Sequence, residues 1–141
     1  MNTRLMALDY IKRAGRFLKE CISAFEDGDY PVAVRRAQEC VELSLKAALR
    51  SIGVEYPREH DVSKALEVVG DKFPEWFSVK IPRFMEISRD LSKKRGLAMY
   101  GYEVEFKPAS KIFDRGDGEN AIACAREVFE SCEKLIKMIF K

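Results

Sequence analysis

The sequence predicts an all-α fold, an up-and-down bundle of four to five helices, on three observations. Apolar residues recur at spacings of three and four along most of the chain, punctuating residues separate these runs, and no long stretch alternates as a half-buried strand would. From Leu8 to Phe25, the positions Ile11, Ala14, Leu18, Cys21 and Phe25 lay one stripe along a first helix. Gly28 and Asp29 end it and begin the next: Asp29 can cap free amides, Pro31 suits a first turn, and Val34, Ala37, Val41, Leu45, Ala48 and Ile52 form a second stripe up to Gly53. Two long amphipathic helices joined by so short a turn are expected to lie antiparallel, since neither stripe is stable in water.

Glu55 to His60, with Pro57, reads as a loop. A short third helix is expected from Asp61 to about Lys72, capped by Asp61 or Ser63, with Ala65, Leu66, Val68 and Val69 as its apolar content. Phe73, Pro74, Trp76 and Phe77 form an aromatic connector that reads as a core plug. Pro82 opens a fourth helix with Phe84, Ile87 and Leu91 facing inward and Gly101 at its end. Tyr102 to Gly118, containing Pro108, Gly116 and Gly118, reads as a long loop, within which Tyr102 to Phe106 alternates only briefly. A last helix is expected from about Glu119 to Phe140, striped by Ile122, Ala125, Phe129, Cys132, Ile136 and Ile139.

With 141 residues, 47% of them apolar, the chain is predicted to be one domain over 1–141 that needs no disulfide or structural metal. Cys21, Cys40, Cys124 and Cys132 contain no Cys-x-x-Cys pair and the only histidine is His60, so no metal or cofactor is expected and the cysteines read as buried free thiols. No apolar run approaches the ~20 residues of a membrane span. An aspartate interrupts Met1 to Tyr10 where a signal peptide needs an unbroken apolar stretch, so the expected location is cytoplasmic and away from membranes.

The net charge of +2 conceals two basic stretches. Residues 1–20 hold 5 basic against 2 acidic side chains, and residues 80–111 hold 8 against 4. On the first helix, Lys12, Arg16 and Lys19 are expected mainly as a solvated face. The run Lys93, Lys94, Arg95 stands close to Tyr100 and Tyr102, and cations beside aromatics suit phosphates and stacked bases. Paired carboxylates, a Ser-His-Asp arrangement and a phosphate-cradling glycine loop have no candidates at suitable spacing.

The second helix, Ala37-Gln38-Glu39-Cys40-Val41-Glu42-Leu43-Ser44-Leu45-Lys46-Ala47-Ala48-Leu49, followed by Gly53, Pro57 and His60-Asp61, resembles the corresponding segment of HEPN domains, the higher eukaryote and prokaryote nucleotide-binding family. The order of elements is similar as well: a long hairpin, a short helix after His-Asp, a basic helix ending in a polar motif, and a long closing helix. The resemblance implies a helical bundle that pairs into a homodimer, commonly beside a nucleotidyltransferase-type antitoxin partner, with many members acting as metal-independent ribonucleases. The family's hallmark is an arginine followed, on the fourth helix, by a histidine. The matching stretch here is Arg95-Gly96-Leu97-Ala98-Met99-Tyr100-Gly101-Tyr102, with tyrosine at the histidine position.

The resemblance therefore places Arg95 and Tyr100 in the catalytic positions, Lys93, Lys94 and Arg95 against RNA or nucleotide phosphate, and Tyr102 where the toxin branch carries the tyrosine its partner modifies. Cleavage through a 2′-hydroxyl needs a base near neutral pH, which histidine supplies and tyrosine, with an ordinary pKa of about 10, supplies poorly. Arginine still binds phosphate through paired donors, so the departure at Tyr100 argues against cleavage and leaves binding intact. His60 reads as a helix-start residue engaged in capping and local packing. The competing function is that of a non-catalytic adaptor that docks a nucleotidyltransferase or binds nucleotide.

Overall fold

A computed structural model describes residues 3–56 and 58–141. Pro57, and the first two residues of the segment read against a signal peptide, lie outside the described residues. The described chain is all-helical, with six α-helices: α1 Thr3–Glu26, α2 Tyr30–Ser51, α3 Ser63–Val69, α4 Glu75–Ser78, α5 Ile81–Tyr100 and α6 Arg115–Ile139. No described helix is long and apolar enough to cross a membrane.

The hairpin of α1 and α2 forms as its stripes require. Gly28 turns the chain at φ 76°, and the Asp29 carboxylate accepts the Val32 amide at 3.3 Å. Helix α2 is the central element, packing against α1, α5 and α6, and its stripe from Val34 to Ala48 is buried. Cys21, Cys40, Cys124 and Cys132 are free and buried. Burial pushes the Cys21 thiol up to about 11 and the Cys40 thiol to about 12, so both stay protonated and unreactive at neutral pH.

Helix α3 is shorter than its sequence pattern predicts, because Gly70 to Lys72 tightens into a 3₁₀ turn. Leu66 and Val69 face the core, whereas Val68, part of the helix's expected apolar content, is 73% exposed. Asp61 organises the helix start, accepting the Ser63 amide at 3.0 Å and the Ser88 hydroxyl from α5 at 2.8 Å. The aromatic connector is a core plug: Phe77 is fully buried, its ring 4.6 Å from Phe73 and 5.6 Å from Phe84 by centroids.

The expected long loop from Tyr102 to Gly118 is a correction. Tyr102 and Lys107 exchange backbone hydrogen bonds of 2.9 and 3.0 Å, a 3₁₀ turn covers Ala109–Lys111, and α6 starts at Arg115 rather than near Glu119. The reason is a reciprocal cap that two flanking glycines disguise: the Asp114 side chain accepts the Asp117 amide, and the Asp117 side chain accepts the Asp114 amide, each at 2.9 Å. Gly118 lies inside the helix, and glycine suits the position because a Cβ there would lie 2.8 Å from the Phe25 ring. Gly101 ends α5 at φ 71°, where a Cβ would collide with the Lys107 carbonyl. That glycine folds the hairpin back and so fixes where Tyr102 stands.

Candidate functional site

Two polar residues of α2, one helical turn apart, assemble a site from three elements. Gln38 is 1% exposed on the buried face of α2, and its carbonyl oxygen accepts a hydrogen bond from Arg95 Nη1 on α5. Its amide nitrogen donates to Glu42 Oε1 at 3.0 Å. The same Glu42 oxygen lies 2.9 Å from His60 Nδ1, on the loop before α3, and the other accepts Lys46 Nζ at 2.8 Å. Burial alone would raise the Glu42 carboxyl, but hydrogen bonds from Lys46, Gln38 and His60, with the Lys46 charge, hold it below its ordinary value. It is ionised at neutral pH.

Arg95 and His60 open on one small cavity of about 170 Å³, which Arg13 and Phe17 of α1 close from the other side. The charges around it are unevenly matched. Glu39, also at the cavity, is 2.6 Å from Arg36 and 3.8 Å from Arg35, and Glu42 holds Lys46. Arg95 bonds a neutral amide and, among the described residues, pairs with no carboxylate; Arg13 reaches only the exposed Asp9, at 3.7 Å. Arg95 is thus the guanidinium at this cavity left without a carboxylate partner, and a guanidinium so placed suits an oxyanion.

Of the residues singled out in the sequence for phosphate binding, catalysis or modification, only Arg95 lines this cavity. Lys93 is exposed, and Lys94 is tied to Asp90 at 2.9 Å. Tyr100 follows Arg95 by five positions, about 140° around the helix, and its side chain is 64% exposed on a different face. Tyr102 is exposed at the base of the hairpin. His60 does not cap α3, and neither Asp61 nor Ser63 does as expected: Val62 is the N-cap residue and has no side-chain cap bond, Asp61 accepts the Ser63 amide from one position further out, and the His60 ring turns to Glu42. Gln38 and Glu42 were not among the predicted site residues. The signal was present in Gln38, a polar residue three before Val41 and four after Val34 and therefore inside the stripe of a buried helix.

The basic face of α1 read as solvated has a second aspect: Lys12, Arg16 and Lys19 edge an open groove of about 820 Å³ running against Phe129 and Glu133 of α6. Among the described residues, no three His, Cys, Asp or Glu side chains cluster as a metal would require.

The family model described as HEPN domain matches residues 7–135. The chain is similar in fold to TT1696 from Thermus thermophilus, with 22% identity, 95% of this chain and 98% of that one covered, and a TM-score of 0.73. It is also similar to ST0689, an archaeal HEPN homologue, at 25% identity, with 92% and 97% covered and a TM-score of 0.64. No curated protein matches the sequence.

Proposed function

We propose that this chain, which belongs to the HEPN domain family, binds RNA or a nucleotide through the phosphate-seeking cavity at Arg95 and serves as the toxin-like component of a HEPN–nucleotidyltransferase pair. The observation that carries this reading is the Arg95 guanidinium, fixed by buried Gln38 and left without a carboxylate beside a cavity that Arg13 also lines. Lys93 and Lys94, on the same turn of α5, add positive charge along the path of a phosphate backbone.

In this reading the functional unit is a homodimer in which the Arg95–Tyr102 stretches of two subunits line one composite groove. The support is exposed apolar surface at that end: Met99 and Tyr100 on the last turn of α5, and Val104 and Phe106, both over 90% exposed, on the hairpin. Of the other aromatic side chains that could feed such an interface, Phe84 lies fully inside the protomer core, and Tyr10 and Phe17 pack partly against it. Of Tyr10, Phe17, Phe84 and Tyr100, Tyr100 is therefore the one that adds exposed apolar surface, beside Met99 and the hairpin. Tyr102, exposed on the hairpin, is the phenol we assign to modification by the partner enzyme.

Filter binding of labelled single-stranded RNA across a salt series tests the reading. Arg95→Ala should weaken binding and lower the slope of log affinity against log salt by about 1. An unchanged affinity and slope would remove Arg95 from the interface. A non-catalytic adaptor is the second reading, favoured by the exposed Val104–Phe106 tip as a protein-docking element. Co-expression with a nucleotidyltransferase partner and intact-mass measurement separates the two. A mass gain abolished by Tyr102→Phe supports the toxin component, and a stable unmodified complex supports the adaptor.

A further inference from the structure

We propose that the groove between α1 and α6 seats the hairpin tip Glu103-Val104-Glu105-Phe106 of a second copy of this chain, each copy offering one groove and one tip. The inference rests on the homodimer of the reading above and names the two surfaces that form it.

The groove is an apolar trough with a cationic rim. Ile11, Leu18 and Ile22 of α1 and Phe129 of α6 line it, and all but Ile11 are only half-buried. Gly15 shapes the trough: a Cβ there would lie 3.1 Å from the Phe129 ring, so the missing side chain lets that ring settle against α1. On the rim, Lys12, Arg13, Arg16 and Lys19 stand against two carboxylates, Asp9 and Glu133. Arg13 pairs with Asp9 at 3.7 Å, Arg16 with Glu20 at 3.0 Å, and Glu133 with Lys137 at 3.5 Å. Lys12 and Lys19, both exposed and about two helical turns apart, pair with no carboxylate among the described residues. Apolar surface under unmatched positive charge suits an occupant that is itself acidic and apolar.

The hairpin tip has that composition. Tyr102 and Lys107 close a four-residue loop through their backbone hydrogen bonds, and all four of its side chains are exposed. Glu103 and Glu105 pair with no cation among the described residues, and Lys107 stands at the base of the loop. Two free carboxylates thus match two free lysines, and Val104 and Phe106 match the trough. The tip does not fill the groove of its own protomer, since none of its four residues lines it. At about 820 Å³ the groove falls in the upper part of the range of roughly 300–1,000 Å³ for pockets that enclose whole ligands, so it has room for a loop end. A two-fold axis makes the contact twice. Arg13 lines both the groove and the Arg95 cavity, so a seated tip stands beside the phosphate-seeking site of the copy that receives it.

The test exchanges the charges. Lys12→Glu/Lys19→Glu reverses the rim and Glu103→Lys/Glu105→Lys reverses the tip; all four positions are exposed, so both variants should keep the helical circular dichroism of wild type. In sedimentation velocity of the RNA-free full chain over a concentration series at low salt, each variant alone should raise the dimer dissociation constant by about 10²-fold, because tip and groove then carry like charge. An equimolar mixture of the two should recover the dimer, since each reversed surface meets its complement and each unreversed surface meets its own. Raising the salt should weaken the wild-type dimer, a readout that needs no substitution. Dimerisation of both variants as in wild type, a mixture that stays monomeric, or a dimer indifferent to salt would overturn the tip–groove pairing and leave the homodimer itself standing. Wild type that is monomeric at every concentration would remove the homodimer as well. Undisturbed dimerisation of Lys12→Glu/Lys19→Glu with loss of RNA retention on the filter would assign this face to nucleic acid and overturn the pairing.

Discussion

The two halves of α5 do different work. Its upstream turns are bound into the protein: Phe84, Ile87 and Leu91 are buried, and the Ser88 hydroxyl donates to Asp61 and accepts the Val62 amide at 3.1 Å. Its last turn and the hairpin after it carry Met99, Tyr100, Val104 and Phe106 on the surface. Arg95 stands at the changeover, with its guanidinium held by α2 and its cavity open. One helix thereby devotes its first turns to stability and its last to a surface. Substitutions in the two halves should separate folding from function.

The largest effect belongs upstream. Phe84→Ala removes a fully buried ring packed on Phe77 and should cost about 3–5 kcal/mol in urea denaturation, whereas Tyr100→Ala should stay within about 0.5 kcal/mol of wild type. A comparable loss in both would break the division. At the changeover, Gln38→Ala leaves Arg95 without its acceptor and removes one of the donors to Glu42, an expected cost of about 1–3 kcal/mol by the same measurement. It should also weaken RNA retention, since the guanidinium is no longer fixed; wild-type affinity in this variant would show that the α2 anchor is dispensable.

The Glu42 network gives a pH signature that the downstream half lacks. With its folded pKa depressed, Glu42 binds fewer protons in the native state than in the unfolded one, so its contribution is present above the unfolded pKa. It is lost as pH falls through the folded pKa. On acidification past the ordinary carboxylate value of 4.5, wild type should therefore lose stability more steeply than Glu42→Gln. Parallel acid limbs in the two proteins would mean that Lys46, Gln38 and His60 do not favour the ionised carboxylate.

The same division explains what could be read from the sequence. Helical periodicity reports burial, so the stripes of α1, α2, upstream α5 and α6 were legible, along with the punctuation at Gly28, Asp29 and Gly101. The start of α6 was not, because Gly116 and Gly118 argue for a loop while the Asp114–Asp117 cap, a weaker pattern, decides for a helix. The contacts of the candidate site were legible only at one end. Arg95 stood out in a run of cations, but its partners lie 57 residues away at Gln38 and, through Glu42, at His60, and local patterns carry no information about such contacts. Only Gln38, a polar break in a buried stripe, announced that something must satisfy it.

The hairpin tip supplies the smallest expected effect on stability and the sharpest test of the downstream half. Phe106 sits at φ 54°, a conformation that costs a non-glycine residue about 1–2 kcal/mol, with its ring 92% exposed. An aromatic residue in such a position gains little from its own protomer, and its apolar area is available to a second chain. Asparagine tolerates the left-handed region far better, so Phe106→Asn should leave the unfolding midpoint of dilute protein unchanged or raise it by up to about 1 kcal/mol in stability. In light scattering over a concentration series, the same variant should shift mass from dimer toward monomer. If Phe106→Asn destabilises dilute monomer, the ring supports the protomer and the tip is no docking surface. If the mass is unchanged at every concentration, the two copies do not meet through it.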